Sequence, residues 1–191
     1  MLNFDTIATH TPLRIIIGAG EQKWVGWVPT HQDQLDLLKP EDWALRFQTR
    51  LADAFLCEHV WEHLTEAEGR NAACLCYRYL KPGGYLRCAV PDAYFPNSEY
   101  QHMVQVGGPG PKDHPAADHK MVYDYKLLSD VFEVAGFKVD LLEYCDEKGR
   151  FHYNQWSPED GPIYRSLRSD HRNANGQLGF VSLIIDAHKL A

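Results

Sequence analysis

The residues of this chain with chemistry to offer lie in four places. A β-branched apolar run closes on Gly18-Ala19-Gly20-Glu21. Glycine takes positive φ and lets backbone approach a ligand closely, so a strand ending in such a turn can cradle a nucleotide-type cofactor. Next comes Glu58-His59-Val60-Trp61-Glu62-His63. Its His-x-x-Glu-His spacing binds zinc when both imidazoles share one helix face and the glutamate activates water. Asp113-His114-Pro115-Ala116-Ala117-Asp118-His119-Lys120 brings two further histidines, which titrate near neutral pH and suit general acid–base work. Residues 151–173 interleave Phe151, Tyr153, Trp156 and Tyr164 with Arg165, Arg168 and Arg172, a mixture able to wrap an acceptor and grip a carboxylate or phosphate. Each feature has a plainer reading. The glycines also fit an ordinary tight turn, and His114 and His119 fit a loop pinned by side-chain hydrogen bonds. The aromatic insertion also fits chain packed on the domain, its arginines paired with Glu159, Asp160 and Asp170.

The elements that must position these groups follow from pattern. Residues 13–18 read as a buried parallel strand. Residues 24–30 read as a short second strand, put at an end or an edge by Pro29, and residues 34–38 as a third. Pro40-Glu41-Asp42 opens a helical turn that carries Trp43 and Phe47. Residues 53–57 are strand. Thr65 and Glu68 form a capping box, starting a helix that runs to about Leu80 and stops at Pro82-Gly83-Gly84. Residues 85–90 are strand. Residues 91–120, rich in Pro, Gly, His and Asn, read as a long functional loop. Tyr125 to Ala135 is a helix with Gly136 as its cap, followed by strand at 138–144. A second irregular stretch fills 151–179 and a last strand 180–187. Without a helix between them, the final two strands are antiparallel neighbours.

The totals place limits on partners. The 191 residues suffice for one domain with a sizeable core, and the net charge of −7 gives no footprint for general nucleic-acid or anionic-membrane binding. No run approaches a membrane span, and Met1-Leu2-Asn3-Phe4-Asp5 lacks the form of a signal peptide. The five cysteines make no C-x-x-C pair and read as reduced and buried, which suits a cytoplasmic compartment.

Taken in order, these pieces resemble the class I S-adenosylmethionine-dependent methyltransferases. The matching residues are Ile17-Gly18-Ala19-Gly20, then Asp53 to Leu64, then Leu80-Lys81-Pro82-Gly83-Gly84-Tyr85-Leu86, then Ala135-Gly136-Phe137-Lys138-Val139. No single piece is specific; order and spacing together are. The resemblance implies an α/β, Rossmann-like, mostly parallel sheet of order 3-2-1-4-5-7-6 with strand 7 antiparallel. It also implies one domain over residues 1–191, with insertions at about 92–120 and 151–179. The chain departs from the family in length, because Gly18 to Asp53 leaves room for only a shortened N-terminal half, its first helix trimmed or missing. It departs again at the end of strand 2, where the family's ribose-binding acid is replaced by His31, with Asp33 two residues on.

What the resemblance implies for the site is then explicit. S-adenosylmethionine is the cofactor, held by Gly18, Ala19, Gly20, Thr30, His31, Asp33, Asp36, Leu37, Glu58 and His59. The catalytic candidates are His59, His114 and His119. An acceptor, a small molecule or sugar precursor, meets Asp92, Tyr94, Tyr123, Trp156, Arg165 and Arg168. No metal is assigned. Two rivals stay open: a non-catalytic S-adenosylmethionine-binding module, and a zinc-dependent hydrolase using His59-x-x-Glu62-His63. Against the second, the motif directly follows a strand and lacks an evident distant acid ligand. A shortened helical cover would bare one sheet face, so a homo-oligomer is a further expectation.

Overall fold

Ile15, Ile16 and Ile17 are branched at Cβ, which favours extended backbone, and Arg14–Ile17 forms strand β1. The computed structural model describes residues 11–191, so the reading of Met1 to Asp5 lies outside the described residues. In chain order there follow β2 (Val28–Pro29), α1 (Pro40–Phe47), β3 (Ala52–Glu58), α2 (Glu66–Tyr79) and β4 (Leu80–Pro91). After them come α3 (Ser98–Val104), α4 (Tyr125–Glu133), β5 (Lys138–Cys145), β6 (Phe151–Tyr153) and β7 (Ser182–His188). One seven-stranded sheet takes the order β2-β1-β3-β4-β7-β5-β6. β1, β2, β3 and β4 pair in parallel; β7 runs antiparallel between β4 and β5, and β6 folds back on β5. Thr65 and Glu68 make the reciprocal capping box at the start of α2, fixing that helix where the sequence pattern puts it.

Residues 24–27 are not strand and residues 80–84 already belong to β4, while two further stretches differ more from the sequence expectation. Residues 34–38 are turns, not a strand. Asp36 turns its carboxylate onto the Leu38 N–H at 2.9 Å, and its carbonyl accepts from Trp43 Nε1 at 3.0 Å. These local bonds compete with a sheet ladder, so the strand expected beyond β2 is absent. The seventh strand is instead β6, added at the opposite edge. The second difference concerns residues 91–120, which contain helix α3, capped by Asn97 through a hydrogen bond from Tyr100 N at 3.0 Å. Asparagine followed by Tyr100 and Val104 at helical spacing was the available signal.

Between β1 and β2 the chain makes turns and no helix. As a result α1, α2 and α4 all pack on one face of the sheet. Ile15, Ile17, Phe55, Cys57, Leu86 and Cys88 point there, against Trp43, Phe47, Ala73, Cys76 and Phe132. Alternate residues Ile16, Ala54, Leu56, Ala89 and Ile184 face the other way, as the two-residue period of a strand requires. That second face is not bare. Trp27, Trp156 and Ile163 cover it, so the premise for self-association through an open sheet face does not hold.

A buried arginine fastens this irregular cover. Arg87, 1% exposed, donates from Nε and Nη2 to the two carboxylate oxygens of Asp186 at 2.8 Å each. Its Nη1 donates to the carbonyls of Ser157 at 2.8 Å and Gly161 at 2.7 Å. The guanidinium lies 4.7 Å from the centre of the Trp156 ring. Trp156 Nε1 in turn donates to the Glu143 carboxylate at 2.9 Å, and Leu167 N donates to the same carboxylate at 2.8 Å. Trp156 is thus a packing residue of the sheet face, as is Arg168, whose guanidinium stacks 5.2 Å from the Tyr153 ring. Removing one member of a buried, hydrogen-bonded ion pair strands the other charge. Arg87→Leu should therefore lower the unfolding free energy by about 3–5 kcal/mol in urea titration. Limited proteolysis of the variant should cut first within residues 154–179.

Candidate active site

The carboxyl ends of β1, β3 and β4 lie at one edge of the sheet, where open α/β sheets bind ligands. A cavity of about 1010 Å³ opens there. Its floor is Gly18, Ala19 and Gly20 after β1, Glu58 and His59 at the end of β3, and Pro91 at the end of β4. Its walls come from α3, from the loop carrying His114 and His119, and from Tyr164, Arg165, Asp170, Arg172 and Phe180 of the second insertion. Gly18 has φ +63°, and a Cβ there would sit 2.5 Å from Val60 Cγ2. Gly20 has φ +52°, and its missing Cβ would meet nothing within 4 Å. Both therefore use glycine's backbone freedom, and Gly20, a lining residue of the cavity, has open space where a Cβ would stand.

Glu58 is the knot of the floor. Its fully buried carboxylate accepts from Gln22 Nε2 at 2.6 Å, Tyr164 N at 3.0 Å and Arg165 N at 2.9 Å, with Arg165 Nη1 at 3.5 Å. It ties the turn after β1 and the second insertion to the end of β3. Next to it, His59 has φ +56°, a conformation that costs energy in a residue with a side chain and recurs at functional sites. His59 Nε2 stands 2.9 Å from Ser182 Oγ, and Nδ1 stands 3.2 Å from Glu62 Oε1. Burial, aided by the positive fields of Arg165, His119 and Arg172, pushes the His59 pKa well below the ordinary range, so the ring is neutral. Burial pushes the Glu62 carboxyl up to about 8. It also lowers the pKa of His119, whose Nδ1 is 2.9 Å from the Val104 carbonyl.

The His-x-x-Glu-His motif does not take the form that a zinc hydrolase needs. Trp61–His63 is a single 3-10 turn, and His59 turns toward Ser182 while His63 turns toward Asp118, 2.8 Å from its Nδ1. The two histidines of the motif do not share one helix face.

The structure brings some of the expected site residues together and separates others. Gly18, Ala19, Gly20, Glu58, His59, His114, His119 and Arg165 line the one cavity. Thr30, His31, Asp33, Asp36 and Leu37 do not. Thr30 Oγ1 donates back to the Ile16 carbonyl at 2.8 Å. His31 and Asp33 are exposed in a turn, and Leu37 is core beneath α1. Asp36 is engaged with Leu38 N, Lys39 and Gln32. Asp92 is 1% exposed and faces inward, its two carboxylate oxygens accepting from Tyr94 N at 2.8 Å and Cys145 N at 2.7 Å. Tyr123 is core under α2, and Tyr94 packs on the cluster around Phe95 and Tyr100. Gln22 was missed by sequence reasoning. It follows the glycine turn directly, yet a lone glutamine carries no spacing signal.

Solved structures resemble this architecture, whereas no family profile and no curated protein matches the chain. A chain of the Haloferax volcanii complex between the Trm112 methyltransferase activator and its candidate methyltransferase aligns with a TM-score of 0.54 at 12% identity, over 94% of this chain and 82% of that one. Human N-acetylserotonin methyltransferase, solved with S-adenosylmethionine, aligns with a TM-score of 0.53 at 11% identity, over 100% of this chain and 52% of that one. A candidate O-methyltransferase from Nostoc punctiforme gives 0.51 at 10%, over 95% and 54%. The chain therefore spans about half the length of the last two. The likeness is one of fold: a Rossmann-like, mostly parallel sheet, as in these methyltransferase structures. No helix among the described residues is long and apolar enough to cross a membrane.

Two predictions test this geometry. Glu58→Gln leaves one oxygen for the donors that converge on Glu58 and turns an NH2 against the rest. It should cost about 2–3 kcal/mol and speed hydrogen exchange at the amides of Tyr164 and Arg165. The second concerns Asp92, whose pKa burial raises to about 6, with the negative field of Asp124 adding to the shift. A raised acid gives stability that is complete below its unfolded pKa and lost as pH rises through its folded one. Urea titrations from pH 4 to 7 should show wild-type stability falling relative to Asp92→Asn by roughly 2–3 kcal/mol. Parallel curves would mean that Asp92 titrates normally.

Proposed function

We propose that this protein binds S-adenosylmethionine in the cavity and transfers its methyl group to a small-molecule acceptor. The observation that carries the reading is the convergence of the Gly18–Gly20 turn and the Glu58–His59 end of β3 on one cavity at the carboxyl edge of the sheet. The chain's own residues fit the methionine part of the cofactor. Gln22 Oε1 is buried in the cavity wall without a hydrogen-bond partner among the described residues, while its Nε2 is fixed on Glu58. It is an acceptor held ready for the cofactor's ammonium. At the ribose the fit differs from the family pattern, since the end of β2 offers no carboxylate to the cavity. Glu21, exposed on the cavity rim beside Gly20, is the acid this chain presents for the hydroxyls.

When bound, the cofactor supplies a methyl group already activated on a sulfonium. What remains for the protein is positioning, exclusion of water and removal of a proton from a protonated nucleophile. His59, whose ring lines the cavity at the end of β3, is the residue placed to take that proton. Arg165, partly exposed on the wall, offers a fork for a carboxylate or phosphate on the acceptor.

Calorimetric titration with S-adenosylmethionine and S-adenosylhomocysteine tests the reading. Micromolar binding is expected, weakened beyond detection by Gly20→Leu, whose side chain enters the cavity without meeting protein at Cβ. The positive φ makes that substitution cost about 1–2 kcal/mol of stability, so circular dichroism should still show a folded chain. Absence of binding by the folded wild type would overturn the proposal. Binding without turnover across a broad acceptor panel would favour the non-catalytic module.

A further inference from the structure

We propose that Glu62, His63 and His119 form a binding site for a divalent transition metal of the zinc class on the wall of this cavity. One ligand atom from each residue lies within 4.8 Å of the other two. One carboxylate and two imidazoles is a donor set that zinc accepts with a coordination position left open. Magnesium and calcium prefer oxygen ligands throughout and are disfavoured here.

Glu62 gives the independent sign that points to a cation. The residue is 0% exposed, and neither carboxylate oxygen has a hydrogen-bond partner among the described residues. His59 Nδ1 stands 3.2 Å away without hydrogen-bond geometry. A buried acid in that state is costly unless a cation joins it.

Each of the two imidazoles has its Nδ1 engaged by an acceptor. His63 Nδ1 sits 2.8 Å from an Asp118 carboxylate oxygen, and His119 Nδ1 sits 2.9 Å from the Val104 carbonyl. Acceptors in those positions hold the proton on Nδ1 and leave the Nε2 lone pair free, the arrangement that accompanies metal-bound histidine. The rings meet edge to face at 4.9 Å. Backbone bonds lock the ligands together across the chain, since Lys120 N and Met121 N both donate to the Glu62 carbonyl, at 2.8 and 3.1 Å. A zinc ion at 2.0–2.1 Å from each donor sets them about 3.3 Å apart, so binding draws the ligand atoms in from their spread of up to 4.8 Å. His59, the first residue of the His-x-x-Glu-His motif, is not a ligand in this assignment; His119, from a distant loop, takes that role.

The cluster lines the same cavity as Gly20 and His59, so its open coordination position faces the space where an acceptor would lie. Seating an acceptor oxygen there rests on the methyl-transfer reading; metal binding does not.

The test uses untagged full-length protein, stripped with a chelator and free of S-adenosylmethionine. Zinc is titrated against a chromophoric competitor, and cobalt is followed by visible spectroscopy. One equivalent of each is expected, with cobalt bands of four- or five-coordinate intensity. His63→Ala, His119→Ala and Glu62→Gln should each weaken zinc binding by more than roughly tenfold. Thermal unfolding reports whether each variant is folded; His63, partly exposed, is the substitution least disruptive to packing. Substoichiometric binding by wild type, or unchanged affinity in folded His63→Ala, would overturn the site. Because cofactor is absent throughout, failure of the methyl-transfer reading would leave this result standing.

Discussion

The site depends on one buried carboxylate. Glu58 ends β3 and accepts hydrogen bonds from the turn after β1 and from the backbone of the second insertion. Those two segments are far apart in sequence and neither is a helix or strand where it meets Glu58. Hydrogen bonds to a charged acceptor are roughly twice as strong as neutral ones and are directional. A single acid can therefore fix irregular chain around the cavity. His59, one residue on, inherits that fixed position. Its left-handed backbone turns the chain toward the cavity, where Ser182 and Glu62 flank the ring.

The same economy of helices explains the insertions. With α1, α2 and α4 on one face of the sheet, the other face needs cover. The chain supplies it with Trp27, Trp156 and Ile163, and holds that cover through Arg87, Asp186 and Glu143. Aromatic rings bury large areas per residue, and their polar edges find partners in the buried acids. The segment that covers the sheet then continues into Tyr164, Arg165 and Arg172, which wall the cavity. Stability and site are thus built from one continuous irregular stretch. Damage to the Arg87 clamp should reach the cavity through it.

Glu62 is a buried acid in a position that is poor for stability. An acid buried without donors works against folding, and burial raises its pKa. Its neighbours His63 and His119 are each held by an acceptor on Nδ1. All three residues line the cavity.

Sequence alone determined the elements with strong local signals. The capping box at Thr65 and Glu68, the Ile15–Ile17 run, the apolar face of α4 and the lack of a helix between β5 and β7 all follow from periodicity, caps and spacing. The order of those elements pointed to the fold, and the placing of Gly18, Gly20, Glu58 and His59 at the carboxyl edge of the sheet was legible because a strand end and a glycine turn are local features. The tertiary structure decided what depends on partners distant in the chain. Leu35 to Leu38 carries strand-like composition, yet Asp36 bonds to its own neighbours and ends the sheet at β2. Asp92 and Tyr123 read as acceptor ligands but turn inward, because Tyr94 N and Cys145 N claim the first and the packing under α2 claims the second. The meeting of Glu62 with His119 lies beyond any local pattern. It arises from backbone bonds between a turn and the end of a long loop, and such pairings have no periodicity to read.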